Sequence, residues 1–303
     1  MQEIGITPIL EIEYFSDSTF FIDVRSIDVD KYLYVLDSEV DRIFVFDLEG
    51  NHQETIGVHG RGPAELFETI QLKAFHDTLI VYSSGKGNFQ RFHQGAFVDE
   101  IPIPTDLGQF IGFRFTVANH HLYFTPFNGE GSVVAMDINN PEMFSVFGTI
   151  IPSEHPRRKL FQNSRLVLSF DDQIITVGKY LTHIERYTLD GQLLERFDLK
   201  DLALYRGRLE YIENFPLAEN QIIDLAVDAF VYNDKLFIVP FLNMEEKVYT
   251  NRVIQICLAS QPMVAERVYN LGEGGFSTIA VKNNYLWAFR RGWSPAIVKY
   301  VLD

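Results

Sequence analysis

One local pattern occurs six times along the chain, and it leaves few folds open. Two turn-forming residues are followed, one position on, by an aliphatic residue that opens a β-strand. The turn pairs are Asp30-Lys31, His76-Asp77, Asn119-His120, Asp171-Asp172, Asn233-Asp234 and Asn283-Asn284. The aliphatic residues are Leu33, Leu79, Leu122, Ile174, Leu236 and Leu286. Asn and Asp tolerate the positive φ of a two-residue hairpin, and alternation on both sides makes each copy strand, turn, strand. The aliphatic positions lie 46, 43, 52, 62 and 50 residues apart, room for four short strands per repeat.

A third strand follows each hairpin, as in DRIFVFD, NFQRFH, SVVAMD, THIERYT, RVIQICL and AIVKYVL. Five repeats then carry an outer fourth strand, whereas the last ends after its third. The segment 9–15 alternates and has no hairpin partner, so it is expected to supply the missing strand and close the ring. Closure removes the open sheet edges that invite aggregation. The reading is an all-β, six-bladed β-propeller with four antiparallel strands per blade. It forms one domain, 1–303, with blades near 24–57, 70–104, 113–151, 165–199, 223–271 and 276–302. Two connections, 151–164 and 200–221, exceed what the fold needs. Leu202, Tyr205 and Leu209 give the second a helical spacing.

Composition excludes several function classes. A net charge of −15 argues against nucleic acid and anionic membranes, which are bound by clustered Lys and Arg. No apolar run is long enough to span a bilayer, and the first 15 residues do not form a signal peptide as they stand. Export after removal of a leader and a cytoplasmic location both stay open. Cys257 is the single cysteine, so no intramolecular disulfide forms, and its alternating strand suggests a small buried thiol.

Residues 57–67, GVHGRGPAELF, with the preceding RIFVFDLEGNHQETIG, resemble the NHL-like (TolB-like) six-bladed propellers of bacteria. The likeness is closest over 27–67, and LGEGGF at 271–276 is similar to a degenerate copy. It implies the same fold, and a group that includes sugar- and peptide-binding scaffolds, interaction platforms, lactonases and lyases. Arg61 lies in this loop, whose glycines allow positive φ.

Counting five residues back from each hairpin turn gives Arg25, Gln71, Arg114, Leu166, Asp228 and Thr278. Five of these six are polar, as expected of a ring near one mouth of a propeller channel. Such a ring reads as a hydrated channel, or as an anion site in which Arg25 and Arg114 offer forked donors. Loops on the same side carry Arg61, Arg157, Arg158, Lys159, Arg206, Arg208, Arg290 and Arg291, with Trp293 and Tyr180 as stacking platforms. Asp37, Glu65, Glu154 and Glu273 lie on that side and can pair with them. The eight histidines show no metal-ligand spacing, and no nucleophile elbow, Walker loop or dinucleotide motif is present.

The first reading is therefore a non-catalytic, monomeric binding propeller without a cofactor. It recognises a small anionic or sugar ligand, or a protein partner, through Arg25, Gln71, Arg114, Asp228, Arg61, Arg290, Arg291 and Trp293. Replacing Arg114 by Ala is expected to abolish binding without unfolding the protein. The alternative is a metal-dependent hydrolase or lyase that holds a divalent cation on Asp228 and Asp224.

Overall fold

The computed structural model describes residues 1–16, 19–108, 113–214, 221–244 and 247–302. The chain is an all-β, six-bladed propeller with four antiparallel strands per blade. It divides into two compact units: residues 4–103 with 270 onward, and residues 1–3 with 104–269.

The first unit holds three blades. Blade 1 is Val24–Val29, Leu33–Asp37, Arg42–Phe46 and His52–Ile56, and blade 2 is Thr69–Phe75, Thr78–Ser83, Asn88–His93 and Ala96–Pro102. Blade 6 is Gly275–Lys282, Tyr285–Arg291 and Ala296–Val301, completed by Pro8–Ile12. That N-terminal strand pairs in order, Leu10 with Lys299 and Ile12 with Ile297, so the expected closing strand is found. Leu36, Ile43, Leu72 and Val81 meet in the core between blades 1 and 2.

The second unit holds blade 3 (Thr116–Ala118, His121–Phe124, Val133–Asp137, Phe144–Phe147) and blade 4 (Arg165–Phe170, Gln173–Gly178, His183–Thr188, Leu193–Asp198). Blade 5 is Ala226–Tyr232, Lys235–Pro240, Arg252–Cys257 and Val264–Asn270. A further strand that the repeat did not foretell, Gln2–Gly5, lies along the outer edge of blade 5. The long connections form the α-helices Pro156–Gln162 and Arg206–Asn214. Leu202, Leu209 and Ile212 pack on the core of blades 4 and 5, and buried Tyr205 donates to the Leu225 carbonyl at 3.2 Å. Part of the second connection, 215–220, lies outside the described residues. No helix among the described residues is long and apolar enough to cross a membrane.

Turn chemistry sets the register. His76-Asp77, Asn119-His120 and Asn283-Asn284 have positive φ at both residues, between 45° and 62°. Asp171 and Asn233 have it at their first. Asp30-Lys31 differs, because Val29 pairs with Leu33 and leaves a three-residue turn, closed by Asp30 N–H to the Tyr32 carbonyl at 3.0 Å. Lys is a poor occupant of positive φ. Cys257 is half-buried rather than buried, with its Sγ 3.9 Å from Asp234 Oδ2.

Candidate functional site

The longer first turn moves one expected site residue. In every blade the residue of interest lies three positions before the partner of the conserved-register aliphatic. Those partners are Val29, Ala74, Val117, Ser169, Val231 and Val281. The position is thus Ser26 in blade 1, not Arg25, while Gln71, Arg114, Leu166, Asp228 and Thr278 keep theirs. Arg25 falls where pairing slips between Val24 and Ser26, and it stands exposed.

The register serves the backbone. In the first unit, Thr278 Oγ1 accepts from Ile27 N–H at 3.2 Å, and Ser26 Oγ accepts from Leu72 N–H at 3.3 Å. In the second, the Arg114 carbonyl accepts from Val167 N–H at 3.0 Å. In these three places one blade satisfies an amide on the innermost strand of the next, an amide that would be costly to bury unpaired. Gln71 is buried at the same register.

Arg114 and Asp228 meet in the second unit. Arg114 Nε and Nη2 donate to Asp228 Oδ1 and Oδ2, both at 2.7 Å, and both residues are buried. The guanidinium also lies 5.1 Å from the Phe230 ring centre. This two-pronged pair has its fork already filled from within the protein. Near it, Lys179 Nζ sits 3.4 Å from Asp224 Oδ1 and donates to the Val227 carbonyl at 3.2 Å. Burial pushes the Tyr180 phenol up, and its ring meets Phe113 and Phe161 edge-on. Buried Arg208 donates to the Asp224 carbonyl and to Asn243 Oδ1, each at 2.7 Å. Among the described residues, no group of three or more His, Cys, Asp or Glu could hold a metal ion.

Arg61 belongs to a braced loop in the first unit. Its guanidinium carbon lies 3.9 Å over the Phe67 ring, and Nη1 donates to the Gly85 carbonyl at 3.3 Å. The loop is anchored by buried Asp41, which accepts from Thr69 N–H, Thr69 Oγ1 and Glu68 N–H at 2.7, 2.6 and 3.0 Å. Exposed His59 adds its Nδ1 at 3.0 Å. Glu65 folds back to accept from Gly62 N–H at 2.6 Å, in the space a side chain at Gly60 would need.

Four expected residues do converge, on the rim of blades 6 and 1. Arg25 Nε donates to Asp23 Oδ2 at 2.8 Å, and Arg291 Nη2 lies 3.7 Å from Asp23 Oδ1. Arg290 Nη2 donates to Glu11 Oε2 at 2.7 Å, a bond that pushes the guanidinium up from its ordinary value. Ser294 Oγ donates to Glu13 Oε1 at 2.6 Å and Arg290 Nε to the Ser294 carbonyl, which braces the loop that carries Trp293. Trp293 itself is wholly exposed, at 106% of its reference area. Tyr14, Phe20 and Ile22 are exposed on the neighbouring segment. That segment is pinned because Phe21 is buried among Phe44, Phe46 and Phe289, and because Asp37 accepts from the Ile22 and Asp23 amides. Asp37, expected to face the arginines, thus holds the backbone that carries Asp23. Asp23, Tyr14 and Phe20 were not singled out from sequence. The signal available was Lys31, whose unsuitability for positive φ already argued against the register that put Arg25 in the ring.

A family model described as a 6-bladed beta-propeller, DUF5128, matches residues 11–201. No curated protein matches the sequence. Among solved structures, a catalytically inactive variant of virginiamycin B lyase from Staphylococcus aureus with quinupristin is similar over 97% of this chain and 99% of its own, at 13% identity and a TM-score of 0.60. A protein of unknown function from Bacteroides thetaiotaomicron is 12% identical, with a TM-score of 0.61, 94% of this chain and 70% of that one covered. A member of the duf4221 family from Bacteroides vulgatus is 9% identical, with a TM-score of 0.60 and coverage of 98% and 97%. At these identities the likeness is one of fold.

Proposed function

Because the chain belongs to the DUF5128 family of 6-bladed beta-propellers, we propose that it is a non-catalytic binding module whose Trp293 rim docks a partner protein bearing surface carboxylates. The observation that carries this reading is the full exposure of Trp293 on a loop braced by Arg290, Ser294 and Glu13. A large ring held rigidly in water binds with little further loss of conformational freedom. Trp, Tyr and Arg are also the side chains that dominate binding hot spots. Arg25 and Arg291, both half-exposed, share the single carboxylate of Asp23. Arg290 is answered by Glu11 and Glu13, so the cationic edge that an acidic counter-surface would meet is the Arg25–Arg291 side of the rim.

The alternative of a metal-dependent hydrolase or lyase draws no support from its expected ligands, since Asp228 is clasped by Arg114 and Asp224 faces Lys179. The docking reading is tested by measuring a partner isolated on the wild-type protein against Trp293→Ala and Arg291→Ala. Each should weaken binding about tenfold or more with an unchanged unfolding midpoint. A partner whose affinity survives both substitutions overturns the reading. Loss of an acidic oligosaccharide, rather than a protein, would move it to carbohydrate recognition.

A further inference from the structure

The pairing register exposes a second site, in the other unit and independent of the Trp293 rim. The residue opposite the second-strand position after each aliphatic is Val45, Arg91, Ala135, Arg186, Gln255 or Lys299. In two blades this side chain is a cation that reaches the next blade. Lys299 Nζ of blade 6 donates to the Leu48 carbonyl of blade 1 at 2.5 Å, and Arg186 Nη2 of blade 4 donates to the Leu258 carbonyl of blade 5 at 2.6 Å. Leu48 and Leu258 hold the same place, two residues beyond the third-strand partner of the aliphatic position. In blade 4 a fourth-strand carboxylate, Glu195, completes the pattern 3.5 Å from Arg186.

Blade 3 lacks both partners. The cation position is Ala135, and the fourth-strand residue opposite it is Ser145. The equivalent acceptor in blade 4, the Leu189 carbonyl, accepts a long bond, 3.3 Å, from Tyr123 Oη. Between blades 3 and 4 runs a groove of about 600 Å³ lined by Ala135, Ser145 and Leu189. Its walls are Tyr123, Phe144 and Met143, and its charged lining residues are Glu142 and Asp190. His121, also in the lining, is held by its Nδ1 to the Asn119 carbonyl at 2.8 Å. No Lys or Arg lines it.

We propose that this groove binds an arginine side chain presented by an extended segment of a partner protein, the guanidinium taking the part that Arg186 plays one blade on. The chemistry matches at each end. A planar fork can donate to the Leu189 carbonyl, which has a second lone pair, and to the Asp190 or Glu142 carboxylate. Half-buried Phe144 is the aromatic a cation in the groove could meet, and Met143, largely exposed, adapts to apolar neighbours of the arginine. The outer strand Phe144–Phe147 ends its sheet, so its free edge can pair with the segment.

The test is calorimetric titration with acetyl-Ala-Leu-Arg-Leu-Ala-amide and with the same peptide carrying citrulline, which keeps the shape and loses the charge. Wild-type protein should bind the arginine peptide about tenfold or more tightly than the citrulline peptide. Glu142→Gln and Asp190→Asn should each erode that preference. Ala135→Arg, which supplies the cation from within as blade 4 does, should remove binding. Its melting curve shows whether it folds, and if it does not, the two carboxylate variants decide. Equal binding of both peptides, no binding by the wild type, or a folded Ala135→Arg that binds as before would each overturn the proposal.

Discussion

Removing one member of the Arg114–Asp228 pair should cost as much as emptying a core position of the inner strands. Both carboxylate oxygens accept at 2.7 Å, and Arg114 and Asp228 are 3% and 5% exposed, so water has little access to replace a lost partner. Two hydrogen bonds to charged groups contribute about 3–6 kcal/mol together. A buried charge left alone costs about 3–5 kcal/mol. The two estimates agree, and Asp228→Ala is expected to destabilise the protein by about 3–5 kcal/mol. Arg114→Met should do the same by stranding the carboxylate. Replacing both, Arg114→Met with Asp228→Leu, removes the stranded charge and should recover all but about 1 kcal/mol. The assay is urea unfolding at neutral pH, followed by fluorescence of buried Trp287. A cost below about 1 kcal/mol for Asp228→Ala, or a double variant equal to the sum of the singles, would refute the reasoning. Arg114 therefore reports on folding before it reports on any ligand. The expectation that Arg114→Ala spares the fold is reversed, because the guanidinium is buried in an internal pair rather than offered to a channel.

Two further outcomes follow from the same bonds. Burial pushes the Asp41 carboxyl up, but hydrogen bonds from Thr69, Glu68 and His59 outweigh it and leave the group below its ordinary value. A depressed value contributes stability above the unfolded pKa of about 3.9, and that stability is lost as pH falls through the folded value. The gap between wild type and Asp41→Asn should thus be full near neutrality and close below about pH 4; a gap constant down to pH 3 contradicts this. Lys299→Met loses the ammonium bond to the Leu48 carbonyl and the contacts 4.1 and 4.7 Å from the Tyr285 and Trp287 ring centres. Urea unfolding should show a loss of about 1.5–3 kcal/mol, and a loss under about 0.5 kcal/mol would remove the inter-blade role assigned to this cation.

The blades were legible because their signal is local. Asn and Asp turns, two-residue alternation and a recurring aliphatic position are set by backbone sterics within a few residues. A helix does form in the second connection, Arg206–Asn214, but of the residues whose spacing suggested it only Leu209 lies in it, while Leu202 and Tyr205 belong to the short 3-10 turns that precede it. The site was not legible, because its geometry depends on single-residue offsets. Pairing of Val29 with Leu33 leaves three residues between them where the other blades leave four between the aliphatic and its partner, which puts Ser26 in place of Arg25 at the inner register and leaves the arginine at the rim beside Arg291. In a strand, a slip of one position reverses the face of every side chain. Nor does local pattern distinguish an arginine that is free to bind from one already paired, as Arg114 is.

Repetition supplies a way around that limit, because six blades are six answers to one packing problem. Ala135 looks like any small strand residue until register places it beside Arg186 and Lys299, which cross the same gap in their own blades. A small side chain there leaves a groove lined by Glu142 and Asp190, beside a Leu189 carbonyl that takes one long bond from Tyr123, so a position at which the blades differ, rather than the repeat itself, carries the chemistry. Trp293 is a difference of the opposite kind: it lies on a braced loop yet buries none of its ring. Substitutions that only preserve the fold should drift toward what the other blades tolerate, filled gaps and covered rings. A groove emptied in one blade and an aromatic left exposed in another run against that tendency at two separate places. Both are explained at once if the occupants are other molecules, and the two binding experiments fail independently if they are not.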